Sequence, residues 1–241
     1  MNILIVNDDS IHAPGIAVLA KAAMALGDVW VVAPSDQCSA MSQKVTIRGS
    51  LKVDRVWDFP VPVKAAYQVS GTPADCVKSA LMQILDVKPD IVFSGINDGY
   101  NVGYDIAYSG TLGAAFEAVM SGVPAIAFSC ESAAKLAVAE EYLEPIAREL
   151  VAQPLERGMV WNVNFPGVAP EAVKGILRER TIAPVPLFNG WYETAELGAD
   201  STELRICGIP KQAGDPVPEG TDMAAVLNGY ISIGKVQCVA L

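Results

Sequence analysis

Short apolar runs recur along the first two thirds of the chain, and stretches with helical periodicity separate them. The runs are NILIV, VWVVA, AAYQVS, DIVFSG, PAIAFS and VWNVNF. The intervening patterns predict helices near residues 15–27, 73–85, 111–121 and 132–152. Alternation at this spacing is typical of β–α–β units arranged around a parallel sheet. Because the runs are continuously apolar, we expect helices to cover both faces of that sheet.

The pattern changes after about residue 165, where Pro and Gly become dense and the strand candidates, such as ELRIC and GYISIGKV, become shorter. We therefore predict an α/β fold with two parts. Residues 1–165 form a Rossmann-like, doubly wound and mostly parallel core. Residues 166–241 form an antiparallel, β-hairpin-rich extension that completes the site and mediates oligomerisation. The polar insert over residues 35–64 is longer than a usual connection, which indicates a functional or hairpin-forming loop.

Charge and hydropathy narrow the class of protein. The chain carries 17 basic and 27 acidic residues, a net charge of −10, without a Lys/Arg cluster, so we expect no nucleic-acid polymer as a partner. Charge, Gly or Pro interrupts every apolar stretch before the ~18 residues of a membrane span. The first residues lead directly into an apolar strand and show no secretory signal. We therefore expect a soluble, cytoplasmic protein that does not bind membranes.

Cysteine and histidine usage excludes several chemistries. The five cysteines are far apart and show no C-x-x-C spacing, which argues against a disulfide framework and a zinc site. His12 is the single histidine, so Ser-His-Asp triads, Cys-His pairs and multi-histidine metal sites are excluded. Any metal chemistry must therefore use oxygen ligands.

Two adjacent carboxylates, Asp8 and Asp9, follow the first apolar run. In a parallel sheet this position is the carboxyl end of a strand, where ligands bind. Two carboxylates that converge on a hard divalent cation lose their mutual repulsion, and oxygen ligands favour Mg²⁺, Mn²⁺ or Ca²⁺ over zinc. The alternative is that one Asp caps the next helix or faces solvent.

A second candidate site lies in SGINDGYNVGYDIAYSGTLGAAFEAVMSG, where a strand ends at Gly95 and a Gly- and Asn-rich loop follows. Ser109, Gly110 and Thr111 then precede a helical pattern, and the free N–H groups of a helix start favour phosphate. Ordinary capping by Ser109 or Thr111 is the alternative. Since both candidate sites lie at one sheet edge, a bridging cation would allow an acidic protein to hold phosphate.

These segments resemble the SurE survival-protein family of metal-dependent nucleotidases and phosphatases. NDDSIHAPGI, APSDQCSAMS, GTPADCV, SGINDGYNVGYDIAYSGT and GTDMAAVLNGYIS occur in the family's order and spacing. The resemblance implies one divalent ion per subunit, Mg²⁺ or Mn²⁺, and hydrolysis of nucleoside 5′- and 3′-monophosphates, with short polyphosphate as a further substrate of some members. It also implies homodimers or homotetramers that exchange C-terminal segments. The implied metal ligands are Asp8, Asp9, Ser39 and Asn97, and the implied phosphate-contacting residues are Asn101, Ser109, Gly110 and Thr111.

Within this set we assign catalysis to Asp8, Asp9, Asn101 and Ser109, with one of the two aspartates accepting the proton of the attacking water. Ser42, in a loop near the same sheet edge, joins the candidate substrate-binding residues. We interpret Thr72 and Asp75 as a structural capping box at the start of a helix.

The chain departs from the family pattern at particular positions. Ser10 and Ala40 stand where the family usually has Gly, and each would cost roughly 1 kcal/mol or more if its backbone needs a positive φ. Gln43 and Lys44 replace small polar residues of the loop that would contact base or sugar. The sequence after GYISIGKV is short and apolar, so segment exchange is less well supported than catalysis.

Parts of the sequence are also compatible with other functions. A catalytically weakened, ligand-binding relative is the alternative that Ser10 and Ala40 favour. A receiver-like signalling module shares an acidic pair after its first strand, but this chain has Ser94, Gly95 and Ile96 where a receiver needs an acceptor Asp. The adjacent aspartates also exclude a haloacid-dehalogenase-type phosphatase, which needs D-x-D.

Overall fold

A nine-stranded sheet forms the centre of the computed structural model, which describes residues 1–198 and 200–241. The strands are β1 (Asn2–Val6), β2 (Asp28–Pro34), β3 (Val53–Arg55), β4 (Ala65–Val69), β5 (Ile91–Asp98), β6 (Ala125–Cys130), β7 (Met159–Phe165), β8 (Ile176–Arg180), β9 (Phe188–Asn189), β10 (Tyr192–Leu197), β11 (Thr202–Ile206), β12 (Ile209–Pro210) and β13 (Ile231–Gln237). The strand order in the sheet is β3-β4-β2-β1-β5-β6-β7-β13-β8, and the six adjacent strands from β4 to β7 in this order are parallel.

Helices cover both faces of this sheet, as the continuously apolar strands predict. The α-helices are α1 (Pro14–Ala23), α2 (Pro73–Ser79), α3 (Gly110–Met120), α4 (Ala137–Val151) and α5 (Asp222–Leu227). One apolar core lies between the sheet and the pair α1 and α4, and a second lies between the sheet and the pair α2 and α3. The predicted doubly wound, mostly parallel α/β fold is therefore confirmed.

The C-terminal residues contribute to the main sheet and also project from it. Strand β13 pairs antiparallel with β7 and parallel with β8, so the run GYISIGKV lies inside the sheet. Strands β10 and β11 form an antiparallel hairpin in which every residue is exposed. The predicted antiparallel strands are present, whereas the division of the chain at residue 165 stays a prediction.

The long insert over residues 35–64 is largely irregular, and its one strand, β3, pairs antiparallel with β4 at the sheet edge. A hydrogen bond of 2.7 Å from the Cys38 N–H to the Asp8 carbonyl holds the first part of the insert near the carboxyl end of β1. This part contains Ser39 and Ser42. Among the described residues, no helix has both the length and the apolar character needed to cross a membrane.

Candidate functional site

A cavity of about 600 Å³ opens at the carboxyl ends of the parallel strands. Residues from the end of β1, the insert over residues 35–64, the end of β5 and the start of α3 line it. The candidate residues that line it are Asp8, Ser39, Asn97, Asn101 and Ser109. Asp9 lines an adjoining cavity of about 420 Å³, which shares Asp98 with the first. The structure thus brings residues from four distant segments to one sheet edge.

Asp8 is buried, with 3% of its surface exposed. Its Oδ1 accepts a hydrogen bond of 2.6 Å from the Thr111 hydroxyl. Burial raises the pKa of Asp8 to about 7; the Thr111 hydrogen bond opposes this rise, and the nearby charge of Asp9 adds to it. Asp8 therefore sits where an ionised carboxylate is costly unless a cation accompanies it.

Asp9 is half-buried, and its Oδ2 accepts the backbone N–H of Asp98 at 2.8 Å. Burial raises the pKa of Asp9, and the negative charge of Asp98 raises it further, while the Asp98 N–H lowers it. Within the described residues, no Lys or Arg forms an ion pair with Asp8 or Asp9. The carboxylate pair thus lacks a protein counter-charge, which fits a bound cation.

The neighbouring donors are neutral oxygens. Asn97 donates through Nδ2 to the carbonyl of Gly99 at 2.8 Å, which leaves its Oδ1 as an acceptor, and Ser39 adds an exposed hydroxyl. In the part of the chain that the structure describes, no three His, Cys, Asp or Glu side chains form a metal-binding group. Two carboxylates with neutral oxygen ligands suit Mg²⁺ or Mn²⁺ better than zinc.

The start of α3 faces the carboxylates. Ser109 is the N-cap residue, and its Oγ accepts the N–H of Leu112 at 3.1 Å, so the capping alternative is realised. The same hydroxyl keeps its proton to donate into the cavity that it lines. The N–H groups of Gly110 and Thr111 are first in the helix and have no intrahelical acceptor. Capping and anion binding are therefore compatible here.

Gly110 allows the helix to approach Asp8 closely. A Cβ at this position would lie 2.9 Å from both Cβ and Oδ2 of Asp8. Any larger residue would therefore push the helix start away from the carboxylate. This close approach places a helix N-terminus, with its partial positive charge, beside the buried Asp8.

Two predicted substrate-binding side chains point elsewhere. The Thr111 side chain is fully buried and donates to Asp8, so it orients a carboxylate. The Ser42 Oγ donates to the carbonyl of Ala107 at 2.8 Å, and the Ser42 N–H donates to the carbonyl of Tyr108 at 2.9 Å. Ser42 therefore fastens its loop to the turn before α3, and neither side chain lines the cavity described above.

A buried polar cluster that sequence reasoning missed holds Asn101. The Asn101 N–H donates to Oδ1 of Asn164 at 2.9 Å, and its carbonyl accepts from Nδ2 of Asn162 at 2.9 Å and of Asn164 at 3.1 Å. The Asn101 side chain donates to the Ser129 hydroxyl at 2.8 Å. Two Asn residues within the apolar run VWNVNF were the available signal, because buried amides require partners.

The two positions where the family usually has Gly adopt left-handed backbone. Ser10 has φ 89° and Ala40 has φ 55°. Both side chains therefore occupy conformations that favour glycine, one beside Asp9 and one beside Ser39. The predicted capping box at α2 is also confirmed, because Thr72 accepts the N–H of Asp75 and the Asp75 carboxylate accepts the N–H of Thr72.

Comparison with known proteins agrees with these features. The family model described as Survival protein SurE matches residues 3–183. The chain belongs to the SurE family. The crystal structure of SurE from Aquifex aeolicus superposes with a TM-score of 0.83 at 33% identity, covering 98% of this chain and 93% of that one. Membership of this family excludes the receiver-like alternative.

Curated SurE relatives match over most of their length. The protein named 5′-nucleotidase SurE from Parvibaculum lavamentivorans is 36% identical, over 97% of this chain and 84% of that protein. The 5′-nucleotidase SurE from Flavobacterium johnsoniae is 38% identical, over 98% of this chain and 90% of that protein. The 5′-nucleotidase SurE from Neisseria gonorrhoeae is 44% identical, over 73% of this chain and 69% of that protein.

Proposed function

We propose that this SurE-family chain is a divalent-metal-dependent phosphomonoesterase that hydrolyses nucleoside 5′- and 3′-monophosphates to nucleoside and phosphate. One observation carries the proposal: the adjacent carboxylates of buried Asp8 and half-buried Asp9 have no protein counter-charge among the described residues, and Asp8 lines the same cavity as Ser109, the N-cap of α3. The relatives named 5′-nucleotidase SurE support the reaction and the substrate class.

One Mg²⁺ or Mn²⁺ ion per subunit would be held by Asp8, Asp9, Ser39 and Asn97. When bound, such an ion polarises a phosphoryl oxygen and lowers the pKa of water. The donor set of two carboxylates, one amide oxygen and one hydroxyl fits this cation. Burial, which raises the pKa of Asp8 to about 7, supports the proposal because a cation would offset the cost of an ionised carboxylate there.

The chain's own groups then bind the phosphoryl oxygens. The N–H groups of Gly110 and Thr111, the Ser109 hydroxyl and the Asn101 side chain are donors at the helix start, where negative charge is favoured. These donors are fixed before substrate arrives, so they stabilise the charge that develops in the transition state. Asn101 is held most firmly, because its backbone and its side chain are both hydrogen-bonded to buried residues.

Proton transfer falls to the aspartates. The oxygen of water bonds to phosphorus and the bond from phosphorus to the ester oxygen breaks. The proton that water loses passes through Asp9 to the departing ester oxygen, so the nucleoside leaves as an alcohol. Asp9 is the more accessible carboxylate and accepts the proton of the attacking water, whereas Oδ1 of Asp8 is engaged by Thr111. Asp8 therefore stays fixed by Thr111, and Asp9 is the carboxylate that takes up and releases the proton.

Phosphate release from nucleoside monophosphates tests this proposal. We expect activity with Mg²⁺ or Mn²⁺, loss of activity in EDTA, and a fall of at least ~100-fold in kcat for Asp9→Asn, since a positioned proton acceptor supplies 10²–10⁴-fold. Asp28→Asn is the matched control, because Asp28 is an exposed carboxylate paired with Lys64. Activity that survives both EDTA and Asp9→Asn would contradict the mechanism. Folded wild type without activity would favour the ligand-binding relative.

Two finer substrate assignments belong to the same proposal. Hydrolysis of 3′- as well as 5′-monophosphates requires that the phosphoryl group be held independently of the sugar, as the helix start and Asn101 allow. Short polyphosphate offers the same terminal phosphoryl oxygens without a base. Phosphate release from a 3′-monophosphate and from tripolyphosphate, in parallel with a 5′-monophosphate, tests both.

We also propose that the chain forms a homodimer or homotetramer through the β10–β11 hairpin. The hairpin exposes large apolar side chains: Leu197 is 78% exposed, Leu204 54% and Ile206 75%. An isolated two-stranded hairpin is marginally stable in water, and its open edges favour pairing with another chain. A second copy of this chain is the occupant that the family resemblance implies.

A further inference from the structure

The lining of the 600 Å³ cavity includes an aromatic wall from the C-terminal extension. Phe188 and Trp191 form this wall, and Tyr108, Asp8 and Ser109 line the same cavity. The Trp191 ring centroid lies 5.5 Å from that of Phe188 and 6.3 Å from that of Tyr108. Phe188 and Trp191 also follow the residues matched by the family model, so this wall lies outside the segment that defines the family.

Hydrogen bonds hold this wall against the turn that leads into α3. The N–H of Leu187 donates to Oδ2 of Asp105 at 2.8 Å, and the N–H of Tyr104 donates to the carbonyl of Val185 at 3.2 Å. The same turn ends at Ser109, the first donor of the phosphate end. The aromatic wall and the phosphate end are therefore fixed relative to each other through one short segment.

The size and chemistry of the cavity fit more than a phosphoryl group. Its volume of about 600 Å³ lies within the range of sites for whole small molecules. Trp191 is 42% exposed and Tyr108 54% exposed, and both line the cavity that Asp8, Asn97 and Ser109 also line. Exposed aromatic side chains in a cavity suit a planar ring, since every nucleobase has a π-face that can stack on them.

We propose that Trp191, supported by Phe188 and Tyr108, is the platform on which the nucleobase stacks, and that it sets the preference of the site for nucleotides over phosphate esters without a base. This inference rests on the proposed function and adds its specificity determinant. The stack places the base at the extension while the phosphoryl group lies at the start of α3. Purines, which have the larger π-face, gain more from the platform than pyrimidines.

Trp191→Ala tests the platform when two substrates are compared, adenosine 5′-monophosphate and ribose 5-phosphate. We expect kcat/KM for the nucleotide to fall about 5- to 100-fold, the range that the loss of one base–aromatic stack gives. The value for ribose 5-phosphate should change less than about twofold, since this substrate has no base. Trp191→Phe should recover most of the nucleotide activity.

Trp57→Ala is the matched control, because Trp57 lies on the insert over residues 35–64 and is 78% exposed. Its ring packs against the Arg55 guanidinium, whose Cζ lies 3.9 Å from the ring centroid. Trp57→Ala should leave both substrates unchanged. Adenosine, which carries the base without phosphate, gives a readout independent of turnover. Its dissociation constant, measured by titration, should rise with Trp191→Ala by a similar factor.

The outcomes separate the platform from the proposed function. Equal losses for both substrates, or no loss for either, would overturn the platform, and so would a change in oligomeric mass that accounts for the whole loss. Wild-type protein that hydrolyses neither substrate would overturn the proposed function, while the adenosine titration of wild type and Trp191→Ala still decides the platform.

Discussion

The backbone of Ser10 is strained beside the candidate metal ligands. Its φ of 89° lies in the region that glycine adopts without penalty, and it directly follows the carboxylate pair. We predict that Ser10→Gly raises the free energy of unfolding by about 1 kcal/mol, because the strain disappears. Urea denaturation monitored by circular dichroism measures this change.

A serine with ordinary backbone serves as the control for that measurement. Ser121, exposed at the end of α3, has φ −85°, so Ser121→Gly should be neutral or destabilising. A Ser10→Gly protein that is less stable than wild type would show that the serine side chain contributes more than its strained backbone costs.

The pKa of Asp8 predicts how cation affinity depends on pH. Burial raises this pKa to about 7, and a carboxylate must lose its proton before it can ligate a metal. Affinity for Mn²⁺ should therefore fall about tenfold per unit as the pH drops below about 7, and should level off above about 8. Calorimetric titration across this range measures it, and an affinity that does not vary between about pH 5.5 and about pH 7 would contradict the assignment.

The strands β6 and β7 position Asn101 through side chains that sequence periodicity does not reveal. Asn101 and Asn164 are 63 positions apart, and only the sheet order brings them together. The apolar runs predict that these strands exist and that they are buried. They do not predict which buried amide meets which loop, because that depends on the register between distant strands.

Removing the Ser129 hydroxyl tests this positioning role. Ser129→Ala leaves the Asn101 side chain without its acceptor, and we expect kcat to fall about tenfold with little change in KM, because small misplacements of a positioning group are costly. Steady-state kinetics measures the split, and Ser129→Thr, which keeps a hydroxyl, should recover part of the rate.

A buried serine on β13, the strand beside β7, provides the comparison. Ser232 is 1% exposed, and its Oγ has no hydrogen-bond partner among the described residues, so Ser232→Ala should leave kcat unchanged. If both alanine variants lower kcat to the same extent, the effect of Ser129 comes from general packing and the positioning role is wrong.

The β10–β11 hairpin leaves the large apolar side chains Leu197, Leu204 and Ile206 exposed in a single copy of the chain. If it mediates assembly, Leu204→Asp should lower the molar mass measured by light scattering to that of one chain, since a charge in an apolar interface is costly. Thr202→Asp, on the same exposed strand, should leave the mass unchanged. An oligomer that persists in Leu204→Asp would place the interface elsewhere on the molecule.

The overall arrangement was largely predictable, and the side-chain directions within it were not. Continuous apolar runs predict the parallel sheet and its two helical layers, and the position of Asp8 and Asp9 at a strand end predicts their edge of the sheet. The hydrogen bond from Ser42 to the turn before α3 and the burial of Thr111 against Asp8 depend on loop packing, which periodicity does not encode. The aromatic wall was equally unpredictable, because Tyr108 and Trp191 are distant in the sequence and approach each other only in the folded chain.

The proposed function depends on one divalent cation held by Asp8, Asp9, Ser39 and Asn97 beside the start of α3. Anomalous scattering from crystals soaked in Mn²⁺ locates such a cation. We expect one strong peak bonded to the carboxylates of Asp8 and Asp9 and within reach of the Ser39 and Asn97 oxygens, and we expect that peak to be absent in crystals of Asp9→Asn. A strong peak at any other place, or a peak that is unchanged in Asp9→Asn, would show that the ligand assignment is wrong.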